Sequence, residues 1–429
     1  MFLGKVSTWL SSTSRHANSK PRNPGVGQVI QHARQLQKRS VVKIKSIEAF
    51  AIRSDLVGGP ALTPARRPVW TEAAEVAGPM SRYPRFKRQR ASWRPRWPAV
   101  GCLVTCTDGT WGFGMTRYGA PVVSIINEHI GPLLLSEPCV ATEKLWDMMV
   151  RMTSPYGGGI APYAISAVDL ALWDLKGKLL RCPVYELIGG PVRDHIACYA
   201  TGNDTDWYLE TGFQATKVAC PYGASDGLRA LDGNEEFIAS TRQLVGDSVD
   251  LMLDCWMAFD VDFAVRMAER MRPYRLRWME DCLMPDDLDG QSELRHRLPT
   301  QTLATGEHWY TLAPFSNAVS RRSVDIFQPD IQWAGGLTGC LKIAHVAEAA
   351  GLPVILHAGA NTAYGQHFSL ATSNCPLGEF FVASAPGVPF QEVRLTPGLQ
   401  TPRDGLVAPS NEPGFGLGLT LDAIHAMTV

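Results

Sequence analysis

The sequence carries no excess of charge of either sign. Of its 429 residues, 41 are Lys or Arg and 41 are Asp or Glu. That balance excludes a protein built to coat nucleic acid, which needs a basic surplus. No run approaches the ~18 uninterrupted apolar residues of a membrane span, so no membrane partner is expected. Cysteine is sparse and irregular: ten residues, three positions between Cys102 and Cys106, and no CxxC pair. A disulfide framework or thiolate zinc site is therefore not expected. Cys198, Cys220, Cys255 and Cys340 sit in apolar runs and read as small buried hydrophobes, reduced in a cytoplasmic protein. A Gly-rich first turn is missing too, which weighs against an open doubly wound dinucleotide fold. Disorder over the whole length is excluded by twelve Trp and an apolar content of 45%.

Acid is absent from the first forty residues. Glu48 is the first acidic side chain, while Lys5, Arg15, Lys20, Arg22, Arg34, Lys38 and Arg39 precede it among several serines. Such a composition marks an organellar transit peptide, in which case the protein is mitochondrial, or else a disordered leader or an upstream start that adds idle residues. Each reading keeps residues 1–40 out of the core. Deleting residues 1–38 is expected to leave turnover and melting temperature unchanged, and import of a fused reporter separates the readings.

From residue 41 the pattern is that of folded protein. The run VVKIKSIEAFAIRS alternates like a half-buried strand, and residues 101–119 read as a hairpin around Asp108-Gly109. Residues 122–151 turn helical, and 163–180 form a periodic helix with Ile165, Val168, Leu170, Leu172 and Leu175 among its apolar positions. Residues 41–190 are thus expected to form an α+β unit. Over 191–385, eight short apolar runs alternate with helical segments: IACYATG, ATKVACP, DLMLDCW, RLRWMED, TLATGEH, VDIFQPD, LPVILHAG and GEFFVAS. Eight strand–helix units are the count of an α/β barrel of the (β/α)8 type. The Pro- and Gly-rich residues 386–429 are expected to return to the first unit.

Polar residues end these runs at a regular interval. Asp254 to Glu280 is 26 residues, Glu280 to Glu307 is 27, Glu307 to Asp330 is 23, and Asp330 to His357 is 27. One βα unit takes about 25 residues, so each falls at the C-terminal face of the barrel, where active sites are assembled. Any one of these acids alone would pass for a helix cap. Three on successive strands would converge, and three close carboxylates cannot all stay ionised without a cation. Hard oxygen donors without His or Cys favour Mg²⁺ over zinc. Asp281 could substitute for Glu280, although strand alternation would turn it to the other face. Asp330 and His357 would make a carboxylate–imidazole pair in which the acid orients the ring and raises its basicity. His308, next to Glu307, either contacts substrate or lines the barrel rim.

The runs LMLDCW, WMED, TGEHW, QPDIQWAGG and LHAG resemble the enolase superfamily, mandelate racemase subgroup. AVDLALWDLKGK, PVYELIGGPVRD and YATGND further resemble the L-rhamnonate dehydratases. The resemblance spans residues 41–420 and implies a modified TIM barrel with an N-terminal α+β capping domain. It implies that Asp254, Glu280 and Glu307 bind Mg²⁺ and that His357 is the general base with Asp330 as its partner. Glu379 would hydrogen-bond the enediolate oxygen, and Arg90 of the cap would bind substrate. The implied activity is dehydration of an aldonate to a 2-keto-3-deoxy acid, with racemisation or cycloisomerisation of a carboxylate as the alternative. A homo-oligomer acting on a small sugar acid is the expected assembly.

Two positions depart from the pattern. Mandelate racemase-like chains carry Lys-x-Lys on the second barrel strand, whereas ATKVACP keeps Lys217 and has Ala219 in the second place. A racemase needs bases on both faces of the α-carbon, so the loss favours the dehydratase. Lys217 would neutralise the substrate carboxylate or partner the metal acids. The cap loop RRPVWTEAAEVAGPMSRY holds no His, where the rhamnonate enzymes place one, which leaves the sugar open. The basic and aromatic run at 81–98 could bind single-stranded nucleic acid, but fits a lid or a subunit interface better.

Overall fold

A three-stranded antiparallel sheet opens the fold: β1 (Ile44–Ala51), β2 (Val100–Cys106) and β3 (Trp111–Thr116), in that order. The computed structural model describes residues 42–53, 62–72, 74–86, 95–393 and 396–429; the leader, Arg90 and residues 87–94 of the basic-aromatic run lie outside them. The β2–β3 turn falls at Asp108-Gly109, where Gly109 takes φ +87°, a value that costs glycine little. Helices α1 (Thr142–Thr153) and α2 (Ala161–Leu180) follow. The helical stretch at 122–151 is broken at residues 135–141, where Ser136 enters the left-handed region.

Helix α2 is more than the amphipathic helix its periodicity suggested, because polar positions are buried as well. Asp169 accepts hydrogen bonds from the backbone N–H and hydroxyl of Thr338, and Asp174 accepts from the N–H groups of Phe113 and Phe415. These carboxylates tie the helix to the barrel, to β3 and to the C-terminal segment. Strand β3 approaches α2 closely enough for backbones to meet. A Cβ on Gly114 would lie 2.0 Å from the Ala167 carbonyl oxygen, and one on Gly112 would lie 2.1 Å from that of Ala171. Gly114→Ala is therefore expected to cost about 3 kcal/mol by overpacking, read as a lowered melting temperature; an unchanged melt would contradict this packing.

The second sheet is parallel and curls into a barrel. Its strands are β4 (Ile196–Thr201), β5 (Ala215–Ala219), β6 (Asp250–Asp254), β7 (Met279–Glu280), β8 (Leu303–Thr305), β9 (Ile326–Phe327) and β10 (Gly378–Phe381), with β10 pairing back onto β4. Helices such as α3 (Arg229–Val245), α4 (Val261–Met271) and α5 (Gly336–Ala349) alternate with the strands. Tyr199, Met252, Trp278, Ala304, Ile326 and Ile355 fill the interior.

The seventh run, LPVILHAG, departs from expectation. It makes only an isolated bridge, Phe327 with Val354, and no ladder with β10. Pro353 and Pro376 each lack the N–H that a ladder would use, which accounts for the irregular segment. His357 therefore does not end a regular strand; its backbone N–H donates to Pro329 O at 3.1 Å. The C-terminal segment contributes β11 (Leu406–Val407), antiparallel to β4, and then runs back so that Ile52 bridges Thr428 beside β1. All ten cysteines are free, with nine buried; Cys255 and Cys282 come within 3.9 Å of each other. No helix of the described residues is long and apolar enough to cross a membrane.

Candidate active site

The carboxylates and the imidazole gather at the C-terminal face of the barrel. Asp254 and Glu280 close β6 and β7 and are direct partners across that parallel ladder. Glu307 follows β8 after Gly306, and Asp330 lies three residues past β9. Backbone strain concentrates at the same face: Trp256, Met257, Asp281 and Ala358, none of them glycine, all have positive φ. Such outliers persist where surrounding structure holds them, and cluster at functional sites. A cavity of about 450 Å³ opens here, lined by Lys217, Ala219, Asp254, Glu307, His357 and Glu379 among others.

His357 is held from both ring nitrogens. Nδ1 lies 2.8 Å from Asp330 Oδ2, and Nε2 lies 2.9 Å from Glu307 Oε2. The other Asp330 oxygen accepts from the Gln332 N–H at 2.7 Å, so the acid is itself oriented. Burial alone would lower the imidazole, but Glu307 and Asp330 outweigh it and hold the ring well above the ordinary histidine value. His308 turns to the same acid, its Nε2 3.0 Å from Glu307 Oε1 and its Nδ1 3.1 Å from the Tyr310 hydroxyl. It stacks on Trp333 at 5.8 Å and 9°.

Lys217 is buried and paired twice, to Glu280 and, at 2.8 Å, to Glu379. The second Glu280 oxygen accepts from Trp278 Nε1 at 2.9 Å and from Gln328 Nε2 at 2.7 Å. Glu379 also accepts from the Thr201 hydroxyl at 2.6 Å and the Ala358 N–H at 2.8 Å. Burial would raise its carboxyl, yet Lys217 and His357 hold it below the usual range. Lys217 Nζ, 2.8 Å from Glu379, is a second hydrogen-bond donor in this part of the cavity.

The donor set suits a hard divalent cation. Burial pushes the Glu280 carboxyl up to about 8 even with Lys217 beside it, and that of Asp281 up to about 7, so a further positive charge would favour the ionised form of both. Asp281, Glu307 and His308 each bring a ligand atom within 4.8 Å of the others. Alternation does not send Asp281 away from the site, because its φ of +45° breaks the strand just after Glu280. Asp281 instead accepts a hydrogen bond from the Thr305 hydroxyl. Asp254, whose Oδ1 accepts from the Trp256 N–H at 2.9 Å, shares the cavity wall with Glu307.

Four further residues of this region are not singled out as site residues by the sequence. Asn203 clamps the backbone of Ala219, accepting from its N–H at 2.8 Å and donating to its C=O at 3.3 Å. Thr201, Arg117 and Trp333 line the cavity. Nothing local distinguishes a Thr, Asn or Arg of this kind from any surface residue. Thr201 and Asn203, inside YATGND, and Trp333, inside QPDIQWAGG, do lie in runs that carry the family resemblance; Arg117 does not.

Residues 204–423 match the family description "Enolase C-terminal domain-like", and residues 96–189 match "Mandelate racemase / muconate lactonizing enzyme, N-terminal domain". The chain belongs to the enolase superfamily. Within the superfamily's mandelate racemase subgroup, an L-rhamnonate dehydratase of Saccharopolyspora erythraea is 38% identical over 346 residues, 80% of this chain and 87% of that protein. The crystal structure of rhamnonate dehydratase from Gibberella zeae complexed with Mg superposes with a TM-score of 0.82 at 32% identity, covering 90% of this chain and 96% of that one. A superfamily member of different activity, the 3,6-anhydro-D-galactonate cycloisomerase from Zobellia galactanivorans, gives a TM-score of 0.70 at 26% identity, covering 90% and 99%. The fold is thus the superfamily's modified barrel with an N-terminal capping unit.

Proposed function

We propose that this protein is a Mg²⁺-dependent dehydratase of an acid sugar, with an L-rhamnonate-like aldonate as the substrate class. The observation that carries this reading is the one-sided placement of the base. His357, oriented by Asp330 at 2.8 Å, lines the cavity together with Ala219, which offers no titratable group in the second lysine position. An epimerase requires a second base across the α-carbon, whereas a dehydratase needs only one.

Asp254, Glu280 and Glu307 would hold the cation, with Asp281 close enough to support Glu307. When bound there, Mg²⁺ offsets the negative charge that builds on the substrate carboxylate as the C2 proton leaves. His357 Nε2 takes that proton while Asp330 stabilises the imidazolium that forms. Lys217 Nζ, fixed by Glu379, is a donor to the developing enolate oxygen. His357 then returns a proton to the C3 hydroxyl, the C3–O bond breaks, and water leaves. The enol so formed tautomerises to the 2-keto-3-deoxy acid. A panel of aldonic acids incubated with protein and Mg²⁺ and assayed for 2-keto-3-deoxy acids tests the reading; product from at least one is expected, and none from any would sink it.

A further inference from the structure

Resting on that reading, we infer that Arg117 and Trp333 form the subsite that reads the oxygen substituents at the distal end of the acid-sugar chain. Arg117 is the first residue after β3 and lines the catalytic cavity from the capping side. Its guanidinium carbon lies 5.4 Å from the centre of the Trp333 indole. Trp333 in turn lies 4.8 Å from the His357 ring, so one indole separates the base from the guanidinium.

The pair is built rather than incidental. The Thr116 hydroxyl donates to Gln332 O at 2.6 Å, and Gln332 Nε2 donates to Met115 O at 3.0 Å. These bonds fasten the end of β3 to the loop after β9, and Arg117 and Trp333 come directly after Thr116 and Gln332. Beyond Arg117 the chain reverses through Tyr118 and Gly119, both at positive φ, and the Tyr118 ring packs edge-on against Tyr163 at 4.7 Å. Trp333 is 4% exposed, and its indole Nε1 is buried with no acceptor among the described residues.

Charge shows what Arg117 is for. The same cavity is lined by Asp254, Glu307 and Glu379, yet Arg117 makes no ion pair with any described residue. The other cation of the wall, Lys217, is already engaged by Glu280 and Glu379. A guanidinium offers a rigid fork of donors suited to hydroxyl or carboxylate oxygens. With C2 at His357 and the carbon chain laid along the indole, oxygens on the far carbons meet Arg117, whereas a four-carbon acid stops short. A distal hydroxyl and a distal carboxylate present the same acceptor chemistry; six-carbon aldonates and aldarates distinguish them.

The test compares KM and kcat of the Mg²⁺-loaded wild type, Arg117→Met and Arg117→Lys on six-carbon aldonates, six-carbon aldarates and four-carbon aldonates, the last measured as competitive inhibitors where they do not turn over. Arg117→Met is expected to raise KM for six-carbon acids about ten- to hundredfold, with kcat within about threefold and the melting temperature unchanged. Four-carbon acids should bind both forms alike, and Arg117→Lys should recover part of the loss. A penalty confined to aldarates identifies a carboxylate as the acceptor, and one on aldonates a hydroxyl; both support the subsite. Equal penalties on four- and six-carbon acids, or none on either, would overturn it while leaving the dehydratase reading intact. No turnover of any acid by the wild type would overturn that reading and the subsite with it.

Discussion

Replacing His357 with Asn is expected to lower kcat by about three to four powers of ten, with little change in the affinity for substrate. The asparagine keeps a polar group near Glu307 but cannot cycle a proton at neutral pH. Binding survives because the carboxylate-binding groups and the distal subsite are untouched. Asp330→Asn should cost less, since the imidazole remains while its orientation and basicity weaken. The ordering of the two variants matters as much as the size of either effect. A His357 variant with near-normal turnover would place the base elsewhere on the cavity wall, with Lys217 the next candidate to substitute.

Chelation is expected to abolish turnover and added Mg²⁺ to restore it. Burial pushes the Glu280 carboxyl up to about 8 even with Lys217 beside it, so a bound cation would favour its ionised form. Glu280→Gln should lose turnover at every Mg²⁺ concentration. It should also melt below the wild type, because Lys217 then keeps only Glu379 as a charged partner in a buried setting, and an uncompensated buried charge is costly. Metal analysis should show reduced Mg²⁺ retention by the variant. Full wild-type activity in excess chelator, with metal removal verified, would contradict the assignment of the cation site.

Much of the catalytic face was legible because its signal is one of spacing. Asp254, Glu280, Glu307, Asp330 and His357 recur at the length of a βα unit, and each follows an apolar run that must enter the barrel. Periodicity of this kind survives in sequence because it reflects topology. What spacing cannot report is conformation within a single residue. Asp281 was assigned to the far face by alternation, and a positive φ at that residue brings it back to Glu307 and His308. The seventh run was read as a strand, but two prolines leave it as a bridge. The role of Glu379 rests on resemblance, because two of the partners that hold it, Thr201 and Lys217, lie far from it in sequence. Arg117 escaped notice for the same reason: its meaning depends on Gln332 and Trp333, more than two hundred residues later.

The one-sided base is the central claim, and proton exchange at C2 tests it most directly. The protein with Mg²⁺ is incubated in D₂O with each acid sugar that yields product, and substrate and product are followed by NMR. The expected result is a 2-keto-3-deoxy acid with no C2 epimer in the recovered substrate, because the proposed mechanism uses His357 alone as base at the α-carbon. Rapid appearance of the C2 epimer in the wild type would contradict it and require a second base on the face that Ala219 borders.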